Sequence, residues 1–419
     1  MTLILSLSKD EGAAPAETIP LEKPMTETFD KKSALAFIVA FGVVSLFADM
    51  AYEGMRGITG PYLALLGASG TAVGIIAGTG ELFGYLLRLA SGRLADKTRA
   101  YWPITLFGYA LQMAAVPAMA LAGQWWMAAL FIILERTGKA VRNPAANTMM
   151  SRAGEQIGQG WAFGLHEALD QTGALIGPLI TALVLAHHGQ YTTAFLWLGA
   201  PALMTVLIVV GVSLRYPFAG GVAPKTKTQD DAALPRAFWL YAASAGLVAF
   251  GFADWPLIAF HFAQVKTLTP ALVPVLYAGA MGATGVGALV FGRLFDRIGF
   301  SVLIPAILIA AIAPPLVFLG GTGAAIAGAL CWGVALGVET SALNAGIARL
   351  VADRARANAF GIFSAIFGIA WFAGSALLGA LYDVSLTLLV AVSVAAELAA
   401  LVPLVLLLRG PPVISAGTP

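Results

Sequence analysis

Twelve apolar stretches run along the chain, separated by short polar breaks, at about 34–55, 71–89, 102–122, 126–149, 160–186 and 191–214, then 237–260, 271–290, 301–319, 322–347, 357–381 and 385–408. An α-helix needs about 20 apolar residues to cross the hydrocarbon of a bilayer, and each stretch has that length. The pattern therefore predicts an all-α membrane protein of twelve transmembrane helices. The polar positions divide it into a cytoplasmic segment 1–33 read as disordered, a six-helix half over 34–214, a linker over 215–236, a second six-helix half over 237–408 and a tail over 409–419. The patch Leu3–Leu7 is too brief for the core of a signal peptide, and Met25 is an alternative start of translation.

Composition agrees. Hydrophobic residues make up 59% of the 419 positions and charged residues 11%, against roughly 25% charged in a soluble domain; the mean hydropathy is +0.84. Such a chain cannot cover a water-facing surface. The single cysteine, Cys331, excludes an internal disulfide framework. Basic residues fix the orientation. Lys31, Lys32, Arg93, Lys97, Arg99, Arg152, Arg215, Lys225, Lys227, Arg236, Arg293, Arg297, Arg349, Arg354, Arg356 and Arg409 all fall on one side, whereas the opposite loops hold Lys266 and, at a helix end, Arg56. The positive-inside rule puts the first side, with both termini, in the cytoplasm of a cell whose inner membrane holds the protein.

The chain also repeats itself. Gly92-Arg93-Leu94-Ala95-Asp96-Lys97 returns as Gly292-Arg293-Leu294-Phe295-Asp296-Arg297, each copy in the hinge between the second and third spans of its half. Phe47-Ala48-Asp49 returns as Phe252-Ala253-Asp254, and Ala162-Phe163-Gly164 as Ala359-Phe360-Gly361. The offsets (49 to 254, 205; 96 to 296, 200; 162 to 359, 197) drift as loops of unequal length require. Two like halves around a path are a common plan of secondary transporters.

With its central linker and duplicated hinge, the chain from about 34 to 409 resembles a major facilitator superfamily transporter. That family's hinge motif, Gly-x-x-x-Asp-(Arg/Lys)-x-Gly-(Arg/Lys)-(Arg/Lys), is matched by Gly92, Asp96 and Lys97, with Arg99 at the second glycine and Ala100-Tyr101 in place of the basic pair. The second copy keeps Gly292, Asp296, Arg297 and Gly299. The resemblance implies that Asp96 latches near residues 356–360 when the cytoplasmic side closes and, by the repeat, Asp296 near 160–163. Gly173, Gly177 and Pro178 in the fifth span are similar to the Gly-x-x-x-Gly-Pro motif of the family's drug–proton antiporters, although Thr181-Ala182 replace its closing glycine pair. The same residues also read as a packing and kinking device.

Ionisable residues inside a span cost about 2.5–3.5 kcal/mol on insertion scales and mark candidate sites. Asp49, Glu53 and Arg56 share one stripe of the first span, with Asp49 about 15 residues, or ~22 Å, from its cytoplasmic end. A Glu53–Arg56 ion pair is one reading there; Asp49 as the proton carrier is the sharper one. Glu135, Lys139 and Arg142 line a face of the fourth span with Arg136 beside it, and Glu135 stands at a favourable i,i+4 spacing from Lys139. Four charges in two turns must line a polar interior, either as a rigid buried network or as a cationic face toward an anionic substrate or a carboxylate. His166, Asp170, Gly173 and Gly177 share a stripe of the fifth span, with Glu167 adjoining. Glu81 lies mid-span on the second helix. Glu339 falls at the counterpart of Arg142, and the resemblance, which sets the fourth and tenth helices face to face across the cavity, implies that the two pair across the pseudo-axis; Asp254 repeats Asp49. The resemblance implies a peripheral twelfth span, so Glu397 there reads as structural.

The candidate proton-coupling residues are thus Asp49, Glu53, Glu81 and Asp170. The cavity candidates are Glu135, Arg136, Lys139, Arg142, His166, Glu167, Asp254 and Glu339. No phosphate-binding loop appears, the cytoplasmic segments are too short for an ATPase domain, and no nucleophile–base set argues for an enzyme. His187-His188 lacks companions at metal-ligand spacing. The expectation is a monomeric, cofactor-free secondary transporter, with a small-molecule substrate, protons and the lipid bilayer as partners and no nucleic acid. Proton-coupled efflux of an organic solute leads; uptake or exchange of a polar metabolite, an anionic one included, or a non-transporting sensor or scaffold, are the alternatives.

Overall fold

The computed structural model describes residues 29–220, 234–351 and 355–410. Most of segment 1–33, of the linker and of the tail lies outside them. Among the described residues there is no strand. The first half contains α1 (Lys31–Leu65), α2 (Gly70–Thr98), α3 (Tyr101–Ala118), α4 (Trp125–Ile157), α5 (Gln159–His188), α6 (Tyr191–Trp197) and α7 (Gly199–Arg215). The second half contains α8 (Arg236–Gly251), α9 (Trp255–Val265), α10 (Leu272–Ile298), α11 (Leu303–Leu319), α12 (Thr322–Leu350), α13 (Arg356–Val384), α14 (Leu386–Ala399) and α15 (Leu401–Leu408). Among the described residues three spans are broken in two: α6–α7, α8–α9 and α14–α15 form the sixth, seventh and twelfth.

Ten stretches are apolar and long enough to cross a membrane, one of which, Leu272–Leu319, holds both α10 and α11. The remaining span is α4, whose Glu135, Arg136, Lys139 and Arg142 exclude it from any purely apolar criterion. Large apolar side chains such as Leu207, Leu214, Val286 and Leu289 remain exposed on the outside of the bundle, a surface suited to lipid and not to water.

Local chemistry starts and stops the helices. Asp30 and Ser33 form a reciprocal capping box at α1, the Ser33 amide donating to Asp30 Oδ1 at 2.7 Å. Ser69 caps α2, accepting from the Ala72 amide at 3.1 Å. The seventh span breaks because Pro256 stands in the first turn of α9 and favours extended backbone before it; Phe252 and Asp254 have ψ of 114° and 146°. The helix α2 ends on Arg99 in the left-handed region (φ 57°), and α10 ends on Gly299 at φ 63°. The second glycine position of the hinge motif is therefore a positive-φ helix cap in both copies, and Arg99, in the left-handed helical region, takes its conformation at a cost.

Small residues bring the helices together, as they do in membranes. A β-carbon at Gly173 or Gly177 of α5 would stand 2.2 Å from the carbonyl oxygen of Leu46 or Met50 on α1. The repeat preserves this contact: at Gly374, 197 positions after Gly177, a β-carbon would lie 2.0 Å from the Phe250 carbonyl of α8.

The halves meet where α2 lies against α13 and α5 against α10, with α1 against α9. Space between α2 and α13 widens along their length. A β-carbon at Gly74 would meet the Ser375 carbonyl at 2.2 Å, one at Gly78 would meet Phe372 at 3.0 Å, and one at Gly84 would meet nothing within 4 Å. On α13 the corresponding distances are 2.5 Å at Gly379, 3.1 Å at Gly368 and 4.0 Å at Gly361. The bundle is closed at the end away from the termini and splayed at the end that carries them.

Candidate functional site

The first half gathers its charges between α1, α2, α4 and α5. Arg136 is the hub of one group: it pairs with Glu81 at 2.9 Å and Glu135 at 3.8 Å, and donates to the Tyr52 hydroxyl. Arg56 reaches the same Glu81 at 3.6 Å and the Tyr52 hydroxyl at 3.4 Å. Arg56 thus pairs with α2, not with Glu53 one turn away. Glu53 is buried and accepts from the Tyr277 hydroxyl of α10 at 2.5 Å, a bond between the halves. Glu135, fully buried, accepts from Gln112 Nε2 at 2.8 Å and is not the partner of Lys139. The Gln112 oxygen accepts from Arg142 at 2.7 Å, and Arg142 also donates to Tyr109 at 3.0 Å.

Lys139 forms the second group. Its ammonium is 4.0 Å from Asp49 Oδ1, which is buried and has no hydrogen-bond partner, and lies 3.8 Å from the centre of the Tyr52 ring, a cation–π distance. Asp170 on α5 is close to both Asp49 and Lys139. His166 bonds Ser45 at 2.7 Å, so it ties α5 to α1. Glu167 is exposed and accepts from Gln171 at 2.9 Å.

The charges do not balance. Asp49, Glu53, Glu81, Glu135 and Asp170 outnumber Arg56, Arg136, Lys139 and Arg142 by one, while at the rim the exposed Arg88 of α2 acts on Glu81 and Glu167 acts on Asp170. The loosest contact among the ion pairs, that of Lys139 with Asp49, also lies beside a second carboxylate, Asp170.

The second half is different. Asp254 does not repeat the setting of Asp49: at the helix break it accepts from Trp371 Nε1 at 2.9 Å and Ser375 at 2.5 Å, both on α13. Glu339 lines an apolar recess of its own half with Tyr241, Ser244, Phe252 and Phe367. The expected pairing of Glu339 with Arg142 is not made: Arg142 is buried and held within its own half by Gln112 and Tyr109.

The hinge residues lie at the open end, and the expected cross-half contacts are absent there among the described residues. Exposed Asp96 accepts from Tyr101 of its own half at 3.0 Å. Asp296 is 3.5 Å from Arg349, whose guanidinium lies over Phe295. Gly92 packs toward Pro144 and Gly292 toward Ser341, again within each half; Lys97 and Arg297 are exposed. With α2 and α13 splayed, neither carboxylate has the opposite half within reach. At the closed end the reverse holds. Asp383, the last acidic residue of α13, accepts from the Gly70 and Thr71 amides at 2.8 Å each and from the Thr71 hydroxyl at 2.6 Å. It caps the N-terminus of α2 from the other half.

Sequence reasoning missed Asp383 and the neutral partners Tyr52, Tyr109, Gln112 and Tyr277. Gln112 was visible as an isolated amide within an apolar stretch; the tyrosines carried no such mark.

The family model described as Major Facilitator Superfamily matches residues 33–375. An uncharacterized protein of Mycobacterium tuberculosis is 41% identical over 377 residues, 88% of this chain and 92% of its own. The Fosmidomycin resistance protein of Escherichia coli is 26% identical over 148 residues, 34% of each chain. Among solved structures, that of the nucleoside transporter NupG superposes with a TM-score of 0.70 at 13% identity, covering 90% of this chain and 100% of that one; this likeness speaks for the fold. The broken spans, the paired halves and the polar interior of an integral membrane protein now have one explanation: the chain belongs to the Major Facilitator Superfamily, a family of transporters and not of enzymes.

Proposed function

We propose that this transporter couples the outward movement of a small organic solute to the inward movement of protons, in the inner membrane, as a monomer with both termini in the cytoplasm. The observation that carries the reading is the excess carboxylate at Asp49, Lys139 and Asp170. Asp49 lies 4.0 Å from the Lys139 ammonium with Asp170 near both, in a site shielded from bulk water, so one proton on this carboxylate pair completes its charge balance. In the state seen, α2 and α13 are splayed at the end that carries the termini, which is where a cytoplasmic solute would enter. Proton transfer to Asp49 or Asp170 leaves Lys139 a single counter-charge, and loss of the proton restores the second. Alternation then closes the hinge end, with Asp96 and Asp296 acting as latches, and opens the end held by Asp383. The likeness to a protein named for drug resistance and the Gly173-Gly177-Pro178 packing motif favour export.

A second reading, uptake or exchange of an anionic metabolite, has one observation in its favour. Lys139 is held by its carboxylate at only 4.0 Å, so a substrate anion competes for it at low cost. A scaffold without transport activity has no use for mid-membrane charges that cost several kcal/mol.

Transport of a labelled solute panel into everted vesicles, with and without a proton gradient, separates these readings. Export coupled to protons gives gradient-dependent accumulation in such vesicles. Asp49→Asn, which mimics the protonated acid, should abolish that accumulation while exchange down a solute gradient survives. Full gradient-driven accumulation by Asp49→Asn refutes the role of Asp49, and reporter fusions placing residues 97 and 297 outside refute the orientation.

A further inference from the structure

One buried acid stands apart from the cluster of the first half. Glu397 on α14 is 1% exposed, and neither of its carboxylate oxygens has a hydrogen-bond partner. It lies behind the break of the seventh span, away from Asp49 and Lys139. A β-carbon at Gly251, the last residue of α8, would come within 3.1 Å of Glu397 Cγ, so the glycine makes room for this side chain. The carboxyl group faces a small recess lined by Phe252, Ala253, Ile258, Phe318 and Trp332. The nearby carbonyls of the break are already engaged: Gly251 accepts from Ser393 at 2.5 Å and Ala253 from Trp332 Nε1 at 2.9 Å.

We propose that Glu397 is a second proton-binding site, built into the back of the broken seventh span and distinct from the Asp49 cluster. An ionised carboxylate removed from water costs several kcal/mol unless a cation or several donors face it. Neither is present among the described residues. The surrounding helices α8, α11, α13 and α15 carry their basic residues only at or beyond their ends, at Arg236, Arg356 and Arg409. The charged group that acts on Glu397 is another acid, Glu339 of α12. Asp254 is held on α13 by Trp371 and Ser375, and His261 of α9 is engaged by Tyr382. A sodium ion would need several oxygen ligands, whereas the recess offers a wall of Ala, Ile, Pro, Val and aromatic side chains. A proton needs only the one oxygen.

The step is simple in its balance: a carboxylate oxygen of Glu397 takes a proton from water-borne hydronium, one O–H bond forms, and a neutral acid and water result. The neutral acid packs against Gly251 in the state seen. Release of the proton requires that the turn at 252–254 move and admit water or backbone donors, which ties the protonation of Glu397 to the conformation of the seventh span.

The test is infrared difference spectroscopy of the full-length protein in lipid at neutral pH. The wild-type minus Glu397→Gln spectrum should show the loss of one carboxylic acid C=O band, and Glu397→Asp should shift that band without removing it. Asp49→Asn should leave the band in place, which keeps this proposal separable from the role of Asp49. Loss of a carboxylate band in Glu397→Gln, or a spectrum unchanged in both Glu397 variants, overturns the proposal.

Discussion

Asp383→Ala should loosen the closed end of the bundle without touching the charge cluster. The carboxylate accepts two amide hydrogen bonds at 2.8 Å and one hydroxyl bond at 2.6 Å, all from the first residues of a helix in the opposite half. A hydrogen bond to a charged group contributes about 1.5–3 kcal/mol when shielded, and a helix N-terminus adds about 0.3–1 kcal/mol for an anion. Asp383 is exposed, so solvent and salt screening reduce the whole to about 1–2 kcal/mol. Ser69 still caps α2 in the variant, so the helix itself should persist. A bias of about 1.4 kcal/mol is a tenfold change in the ratio of closed to open states. The assay is pulsed electron–electron distance measurement between labels at Leu65 and Val384, both exposed at this end on opposite halves, with Cys331 replaced by Ser. The variant should populate a longer distance at the expense of the shorter one, and high salt should shift the parent in the same direction. Asp96→Asn should not lengthen this distance, because Asp96 makes no bond across the halves in this state. An unchanged distance distribution in Asp383→Ala would refute the reasoning.

Two further substitutions test the packing and the hinge. Gly177→Ala places a β-carbon 2.2 Å from the Met50 carbonyl and should cost about 1–3 kcal/mol by overpacking, read as a lower melting temperature in detergent; Gly211→Ala, with nothing within 4 Å, should cost nothing. Arg99→Gly relieves a left-handed residue at φ 57° and should stabilise the protein by about 1 kcal/mol, which a melting temperature equal to or below that of the parent contradicts.

The twelve spans were legible because lipid imposes a length: any helix that crosses must be apolar for about 20 residues, and no packing detail alters that. Even α4, which fails an apolar criterion, was legible, since four charges in two turns have no alternative to an interior. Which charges meet was not legible. Helical periodicity assigns Glu53 and Arg56 to one face, but the partner of each is chosen by neighbouring helices that the period does not describe. Arg56 goes to Glu81 because Arg136 holds that carboxylate beside it and the Tyr52 hydroxyl accepts from both guanidinium groups, and Glu53 goes to Tyr277 because Gly57 lets α10 approach α1. Asp254 shows the limit most clearly. Its tripeptide repeats that of Asp49, yet Pro256 two positions later breaks the helix, and the carboxylate turns to Trp371 and Ser375 instead of to a lysine. The counterpart of that proline in the first half is Ala51, and α1 continues unbroken through it. One residue therefore separates a carboxylate that shares a lysine from one that anchors a broken span, and a repeat detected in sequence predicts the path of the backbone better than the work of its side chains.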